Sequence, residues 1–310
     1  MKLAQAVRVA RLRIRSLNTE PISRAEYASY YSSWGGSFIL HPVVLQFFED
    51  AHGIKTQYRG YFRRGQCVGA IGTWGPYIAG DWNALRAFGV NTRLDFGYPM
   101  LYLPIAPGHR CAILHRAAFL LDCQREQLAG AIFPRNESMS ILKHIPDQLP
   151  SGKKRFQKEE RWFAQSGGTV QDIGDLAADE VVAIYDELHM MRWKRRPFAI
   201  GELRGTLDYL KRFLFGKVLW LKTRPVAIQI NYRAETTGTV CIDAVNGATD
   251  RSLKQFTAGS LLLYINGREA CQRARRDSKR LLYSYGRARP GYKQYWCNSV
   301  ARGFAGFWLP

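Results

Sequence analysis

The second half of the sequence carries a succession of elements that few folds can accommodate. Two helices come first, then three strands, then a helix and a last strand, predicted at 178–195, 206–215, 218–222, 225–234, 239–245, 261–275 and 281–285. Helical or alternating spacing of the apolar residues, glycine-bearing turns and charges that suit the helix ends support these assignments. Helices followed by antiparallel strands indicate an α+β (mixed α/β) class.

The first half predicts a mixed domain of its own. Ser23 is the expected N-cap of a first helix, with Glu26 completing a capping box and Gly35 ending the helix. Further elements are a second helix, a hairpin, an edge strand and a third helix, predicted at 42–52, 58–74, 100–105 and 113–127. The sequence changes character near 146–152, so we expect two domains, 1–150 and 151–310.

The last predicted strand runs into a cationic, aromatic loop. Gly286 and the pair Pro290-Gly291 predict a turn after Tyr285, which presents Lys293 at the strand exit. A lysine there is a mobile point charge that can meet a phosphate or a carboxylate. Tyr292 and Trp296 would help to wall such a site against water. A surface lysine beside structural aromatic residues is the alternative.

The start of the helix before that strand predicts an anion site. Its first residues are Thr257, Ala258, Gly259 and Ser260. The first turn of a helix has backbone N–H groups without internal acceptors and carries the positive end of the helix dipole, so it attracts anions. Gly259 would let a phosphate approach the backbone.

Charge favours anionic partners. The 310 residues include 45 Lys and Arg against 25 Asp and Glu, a net charge of +20, which suits nucleic acid, phospholipid headgroups or nucleotide cofactors. The six cysteines form no Cys-x-x-Cys pair, so neither a metal site nor a disulfide framework is expected. Arginine alternates with apolar residues over 11–17. That alternation predicts a strand whose cationic face either touches lipid or is solvated.

The sequence also predicts where the protein works. No apolar run approaches the ~20 residues of a membrane-spanning helix. The arginine-rich start, 1–16, lacks the apolar core and cleavage site of a secretory signal. We therefore expect a cytoplasmic protein that associates peripherally with the inner membrane through basic faces on anionic lipid.

Four short stretches, in order, carry a resemblance to known proteins. Three are Trp34-Gly35-Gly36-Ser37 with His41-Pro42, the segment 103–107 (Leu-Pro-Ile-Ala-Pro), and 257–262 (Thr-Ala-Gly-Ser-Leu-Leu). The fourth is the strand, glycine and loop that lead to Tyr292-Lys293 and Trp296. The sequence resembles the Mig family, macrophage-inducible proteins of Gram-negative bacteria linked to antimicrobial-peptide resistance and swarming. The fourth stretch also resembles FemAB-like and CelD-like GNAT acyltransferases.

The resemblance implies a GNAT-like acyl-CoA N-acyltransferase fold in two tandem units. It implies acyl-CoA or aminoacyl-tRNA as donor, held at 257–260, and an envelope precursor as acceptor. Lys293 corresponds to the active-site lysine of the FemAB-like proteins, and Asp243 is the candidate base. Substrate-binding residues are expected in the same region, at Tyr283, Ser284, Tyr285, Arg287, Tyr292 and Trp296. The sequence departs from its relatives where many carry Asp instead of Ser284, and the Arg/Gln-x-x-Gly-x-Gly/Ala acetyl-CoA fingerprint is absent.

Three functions remain open at this stage. The first is an envelope-modifying acyl or aminoacyl transferase, which would reduce the attraction of cationic peptides by adding amines to an anionic envelope. The second is a non-catalytic protein of the same fold that binds anionic lipid or partner proteins at the inner membrane. The third is a nucleic-acid binder, including a tRNA binder, suggested by net charge and aromatic residues.

Overall fold

The computed structural model describes residues 19–143, 150–253, 257–288 and 291–306. Its helices are α1 Arg24–Trp34, α2 Pro42–His52, α3 Trp82–Ala87, α4 Pro150–Gln165, α5 Ala178–Trp193, α6 Ile200–Tyr209, α7 Ala258–Arg276 and α8 Tyr292–Trp296. Single 3-10 turns occur at Phe38–Leu40, Val90–Thr92, Asp122–Gln127, Ile173–Asp175 and Lys211–Phe213. The alternation predicted at 11–17, Pro290 and part of the expected domain boundary lie outside the described residues.

The strands are distributed over both halves of the chain. In the first half they are β1 Glu20–Pro21, β2 Gln57–Arg63, β3 Gln66–Trp74, β4 Tyr77–Ile78, β5 Cys111–Ala112, β6 Ala117–Leu121, β7 Leu128–Ala129 and β8 Ser138–Leu142. In the second half they are β9 Gly168–Asp172, β10 Leu214–Phe215, β11 Lys217–Leu221, β12 Arg224–Glu235, β13 Thr239–Thr249, β14 Arg280–Arg287 and β15 Cys297–Ala305.

One large sheet connects the two halves. The described strands run in the order β6-β15-β8-β14-β13-β12-β11-β9, with β10 beside β12. The pair β13 and β14 is parallel, and its neighbours on both sides pair antiparallel. Strand β15, the last of the described strands, lies between β6 and β8 of the first half. This sheet contains strands from both sides of residue 150. The division of the chain into two domains at that residue stays a prediction.

Helices cover the two faces of the second-half sheet. On one face, Leu261, Leu262 and Ile265 of α7 pack with Val240 and Ile242 of β13. On the other face, buried residues of α5 and α6 pack against Ile228 and Ile230 of β12. A separate core in the first half is rich in aromatic residues and reaches the second half through Tyr232, whose ring stacks on Phe38 at 4.6 Å. The α+β class is therefore confirmed.

The local signals at the first two helices are confirmed. Ser23 Oγ accepts a hydrogen bond from Glu26 N at 3.1 Å, and Glu26 Oε2 accepts one from Ser23 N at 2.7 Å, which completes the capping box. Helix α2 is capped at its C-terminus by Gly53, which has a left-handed φ of +67°. The predicted hairpin is formed by β2 and β3. These features depend on neighbouring residues, so the sequence determines them locally.

The prediction of a helix at 113–127 is wrong. The chain there forms β6 and a 3-10 turn, and all five residues of β6 are buried. A strand covered on both faces gives a continuous apolar run, which periodicity cannot distinguish from part of a buried helix. Of the strand predicted at 100–105, only isolated bridges at Leu101 and Ile105 form.

The helix predicted at 206–215 is displaced towards the N-terminus. Helix α6 already ends at Tyr209, and β10 follows after a 3-10 turn. Strand β10 pairs with β12, so this tertiary contact overrides the local helical pattern. Among the described helices, none has the length and apolar character needed to cross a membrane.

Candidate functional site

A cleft opens where the parallel strands β13 and β14 separate. The two strands pair from Thr239 and Arg280 as far as Asp243 and Ser284. Beyond that point β13 stays with β12, while β14 turns towards β8. The backbone between the diverging strands leaves a cavity of about 750 Å³. Ligand sites commonly have this size and this position at the end of a sheet.

The cleft wall combines residues that are remote in sequence. Strand β13 contributes 244–249 and α7 contributes its first turn, while Tyr285, Gly286 and Lys293 come from the segment on which the sequence prediction centred. Further lining residues were not predicted from the sequence, among them Asp95, Tyr98, Arg192 and Gln229. None belongs to a motif, and they reach the cleft only through tertiary packing.

The first turn of α7 lies at the cleft, as the anion-site prediction requires. Thr257, Ala258, Gly259 and Ser260 all line it, and α7 is 19 residues long. A Cβ added at Gly259 would approach Thr249 Cγ2 to 3.1 Å. This glycine therefore permits the close approach of α7 to β13, and the approach of a phosphate that was predicted for it stays a prediction.

An internal carboxylate already occupies part of this helix start. Glu159 Oε1 on α4 accepts hydrogen bonds from Thr257 N at 2.7 Å and from Thr257 Oγ1 at 2.6 Å. A carboxylate at the N-terminus of a helix is stabilised by the same N–H groups and dipole that would bind a ligand anion. Glu159 thus stands beside the predicted phosphate site.

Lys293 lies at the cleft and holds the end of β14. Its Nζ donates hydrogen bonds to Tyr285 O at 2.5 Å and to Arg287 O at 3.2 Å. The side chain begins on the short helix α8, so the ammonium bridges α8 to the strand exit. Lys293 is therefore an anchored charge rather than the mobile one that the sequence suggested.

The other predicted residues of this segment divide into two groups. Tyr285 lines the cleft, and its ring stacks on Tyr283 at 4.8 Å. Burial raises the pKa of both phenols, so both are neutral proton donors near pH 7. Ser284 is buried away from the cleft lining, and its Oγ accepts a hydrogen bond from Gly286 N at 3.0 Å.

Trp296 and Arg287 lie outside the cleft lining. Trp296 is buried in the core beside Phe156, with ring centroids 5.0 Å apart. Arg287 is exposed, and its guanidinium is 3.5 Å from Glu137. Tyr292 begins helix α8, and its side chain is outside the described part of the chain. Their substrate-binding roles stay predictions.

Asp243 lies behind the cleft wall and does not line it. The residue is 3% exposed, and its Oδ1 accepts a hydrogen bond from Met100 N at 3.1 Å. Burial raises the pKa of this carboxyl to about 7. A group with this pKa can exchange a proton at neutral pH. The structure nevertheless brings Ala244, and not Asp243, to the cleft.

The mouth of the cleft carries both signs of charge. Among the described lining residues, Arg192, Arg251 and Lys293 are cationic, and Asp95 and Asp250 are acidic. Asp250 is paired outside the cleft lining, with its Oδ2 2.7 Å from Arg224. Within the described residues, no three His, Cys, Asp or Glu side chains come together as metal ligands.

The chain is similar to known proteins over most of its length. The family model named Mig-14 matches residues 41–304. No curated protein sequence matches the chain. Among solved structures, FemX has 12% sequence identity and a TM-score of 0.51, over 93% of this chain and 96% of that one.

Two other solved structures are similar over most of their length. L-PGS from Bacillus licheniformis has 11% identity and a TM-score of 0.46, over 93% of each chain. A tandem GNAT protein from the clavulanic acid biosynthesis pathway has 10% identity and a TM-score of 0.41, over 92% of this chain and 97% of that one. The likeness to FemX, at this low identity, is one of fold, and the predicted α+β fold of FemAB-like type is confirmed.

Proposed function

The chain belongs to the Mig-14 family, and from this premise we propose that it transfers an acyl or aminoacyl group from an anionic donor to an amine of an envelope component. The donor is acyl-CoA or aminoacyl-tRNA, and the acceptor is an envelope precursor or a lipid. Added amines would weaken the attraction between the envelope and cationic antimicrobial peptides.

One observation carries the proposal: the cleft between β13 and β14 is flanked by the start of α7 and by cationic side chains. The N–H groups in the first turn of α7 attract anions. Arg192 and Arg251 add positive charge at the same opening. A donor with phosphates can therefore bind outside the cleft while its acyl group enters between the strands. FemX has a similar fold over 93% of this chain.

The chemistry needs few groups. The acceptor amine attacks the donor carbonyl carbon, a C–N bond forms, and the C–O or C–S bond to the carrier breaks. The amine proton passes to the leaving oxygen or sulfur. In the proposed arrangement the Lys293 ammonium, which lines the cleft and fixes the strand end that carries Tyr285, stabilises the developing oxyanion. Asp243 has no place in this step, since its carboxyl lies behind the wall.

Transfer of label from the donor tests the proposal. Purified protein is incubated with charged tRNA or acyl-CoA carrying a labelled acyl group, together with envelope lipid and peptidoglycan precursors. We expect labelled product from the wild type. Arg251→Glu changes the charge at the cleft mouth by two, and we expect about tenfold weaker donor use because each unit charge contributes about 0.5–1 kcal/mol at this range.

Arg110→Glu is the matched control. Arg110 is an exposed arginine in the first half, outside the described cleft lining. The Arg110→Glu substitution makes the same change in net charge as Arg251→Glu. If both variants use the donor equally weakly, the weaker use is due to overall charge, and a donor site at the cleft is contradicted. Absence of labelled product with every donor would reject catalysis.

A second function is favoured by Glu159. Its carboxylate accepts two hydrogen bonds from Thr257 at the start of α7. The positive end of the helix dipole is therefore already neutralised in part. This supports a non-catalytic member of the family that binds anionic lipid or a partner through its basic surface. If Glu159→Gln neither enables transfer nor changes the binding of acyl-CoA, while the protein still binds lipid, this second function is the better description.

Lipid contact belongs to both proposals. The outward face of α4 exposes Lys154, Arg155, Lys158 and Arg161, and Trp162 beside them is 47% exposed. Basic residues with an exposed aromatic ring suit the surface of an anionic bilayer. We propose that this face holds the protein at the inner membrane. Because Glu159 on the same helix contacts α7, the membrane would lie close to the cleft.

A further inference from the structure

A loop from the first half of the chain lies against both strands where β13 and β14 separate. A Cβ added at Gly97 in this loop would lie 3.9 Å from Val245 Cα of β13. A Cβ added at Gly286 of β14 would approach Tyr98 Cβ, in the same loop, to 3.3 Å. The loop therefore contacts the ends of both strands, and its first residue, Asp95, lines the cleft.

Neutral groups hold the carboxylate of Asp95. Its Oδ1 accepts a hydrogen bond from Gly97 N at 2.9 Å. Its Oδ2 lies 3.2 Å from Asn246 Nδ2 in the amide orientation that the neighbouring atoms require, and the same nitrogen is 3.3 Å from the Tyr185 phenol. Asn246 follows Val245, which a bulge in β13 leaves without a partner on β12. A bulge redirects the side chains beside it, and here it brings Asn246 to the carboxylate.

No cation in the described part of the chain compensates the charge of Asp95. Partial burial raises the pKa of this carboxyl, hydrogen bonds from Gly97 and Asn246 lower it, and no described Lys, Arg or His affects it. The phenols of Tyr185 and Tyr232 have pKa values raised by burial and by the Asp95 charge, so they are neutral near pH 7. A carboxylate partly withdrawn from water is stabilised by an opposite charge, which a ligand in the cleft can supply.

The carboxylate of Asp95 is also accessible to a ligand. Asp95 is an exposed residue of the cleft lining. The other acidic residue of the described lining, Asp250, is buried and paired with Arg224 at 2.7 Å. Within the described lining, Asp95 is therefore the acidic residue that is open to a cationic group. The cationic lining residues suit the anionic carrier of a donor, so the cleft offers both signs of charge to one substrate complex.

We propose that Asp95 binds a primary ammonium group of a substrate in the cleft, with Asn246 holding the carboxylate in position. The ammonium makes charge-assisted hydrogen bonds to the carboxylate lone pairs that Gly97 and Asn246 leave open. Two sources supply such a group: a transferred aminoacyl group and the amine of the acceptor. This inference rests on the proposed transferase function and adds the charge that its substrate carries into the cleft.

Probes that differ in the ammonium group alone test this site. For the transferred group, the pairs are the β-alanyl and butyryl thioesters of coenzyme A, and 3′-alanylamino- and 3′-isobutyrylamino-3′-deoxyadenosine. For the acceptor, the pair is the Nα-acetyl amides of lysine and 6-hydroxynorleucine. Calorimetric titration of the wild type at pH 7 is expected to show at least tenfold tighter binding of the ammonium member. The preference appears in a donor pair if the transferred group carries the ammonium, and in the acceptor pair if the acceptor does.

Asp95→Asn removes the charge and keeps an Oδ1 acceptor for Gly97 N. We expect the preference for the ammonium member to fall to about twofold or less, because a neutral amide lacks the ionic attraction. Binding of the neutral member should not change. We also expect the variant to resist urea as well as the wild type, since the hydrogen bond of the turn is kept. Asp208→Asn, at an exposed position of α6 outside the described lining, is the matched control and should keep the full preference.

Two results overturn the inference. One is that no pair shows the tenfold preference, which includes the case in which no probe binds, and the other is that Asp95→Asn keeps the preference. If labelled product still forms in the transfer assay, the proposed function stands and the ammonium site does not. If the preference depends on Asp95 but no donor gives labelled product, the ammonium site is supported and catalysis is rejected.

Discussion

The buried carboxyl of Asp243 makes the stability of this protein depend on pH. Its folded-state pKa is about 7 against an ordinary value of 3.8, because burial disfavours the charged form. Only Oδ1 has a hydrogen bond, from Met100 N, and Oδ2 has no partner among the described residues. Its titratable neighbours Tyr31 and Cys241 have pKa values raised by burial, so neither supplies a compensating charge near pH 7.

The sign and size follow from proton linkage. Between pH 3.8 and about 7 the folded protein keeps a proton on Asp243 that the unfolded chain loses. The free energy of unfolding therefore falls as pH rises through this window, by about 1.4 kcal/mol per pH unit. The whole window corresponds to about 4 kcal/mol, which is a large part of the ~5–15 kcal/mol typical of a folded protein.

Asp243→Asn removes this titration and keeps an Oδ1 acceptor for Met100 N. The new amide nitrogen has no evident partner, which costs about 1–2 kcal/mol. We expect the variant to be about 2–3 kcal/mol more stable than the wild type at pH 8 and slightly less stable at pH 4.

Urea unfolding followed by tryptophan fluorescence from pH 4 to pH 8 measures the difference, and Asp208→Asn at an exposed position of α6 is the control. A stability difference between Asp243→Asn and wild type that does not vary with pH would refute this reasoning.

Two further predictions concern the anchored lysine and the lipid face. Lys293→Met removes two hydrogen bonds to strand-end carbonyls, so we expect a loss of about 1–3 kcal/mol in unfolding free energy, and little change for Lys158→Met at an exposed site. Lys154→Glu/Lys158→Glu should bind phosphatidylglycerol vesicles at least tenfold more weakly in a sedimentation assay, since each basic residue near the surface contributes about 1 kcal/mol. The exposed pair Lys55→Glu/Lys211→Glu is the control, and an equal loss for both pairs would contradict the assignment of α4.

Local sequence signals predicted the parts of the site that are continuous in the chain. The stretch 257–260 was expected to begin a helix and does line the cleft. Tyr285 and Lys293 were expected at a strand exit and are found there. These positions follow from turn residues and helix boundaries, which depend on a few adjacent residues.

The remaining parts of the site could not be predicted in this way. Gln229 appeared only as a member of a strand, and Asp95 and Arg192 carried no motif. Asp243 was the candidate base, but its side chain lies behind the cleft wall, where its Oδ1 accepts a hydrogen bond from Met100 N. The direction of a side chain at a point where strands separate depends on which neighbour each strand keeps.

The sequence by itself determined the ends of the first two helices, the hairpin, the succession of most helices and strands in the second half and the chemical character of the cleft segment. Caps, turns and periodicity depend on contacts between neighbouring residues, so they can be read locally. Only the tertiary structure decided that β15 inserts between β6 and β8, that β13 and β14 separate after Asp243 and Ser284, and that polar groups are buried beneath α7. Strand pairing and burial involve residues far apart in the chain and the exclusion of water between them, which no local pattern records.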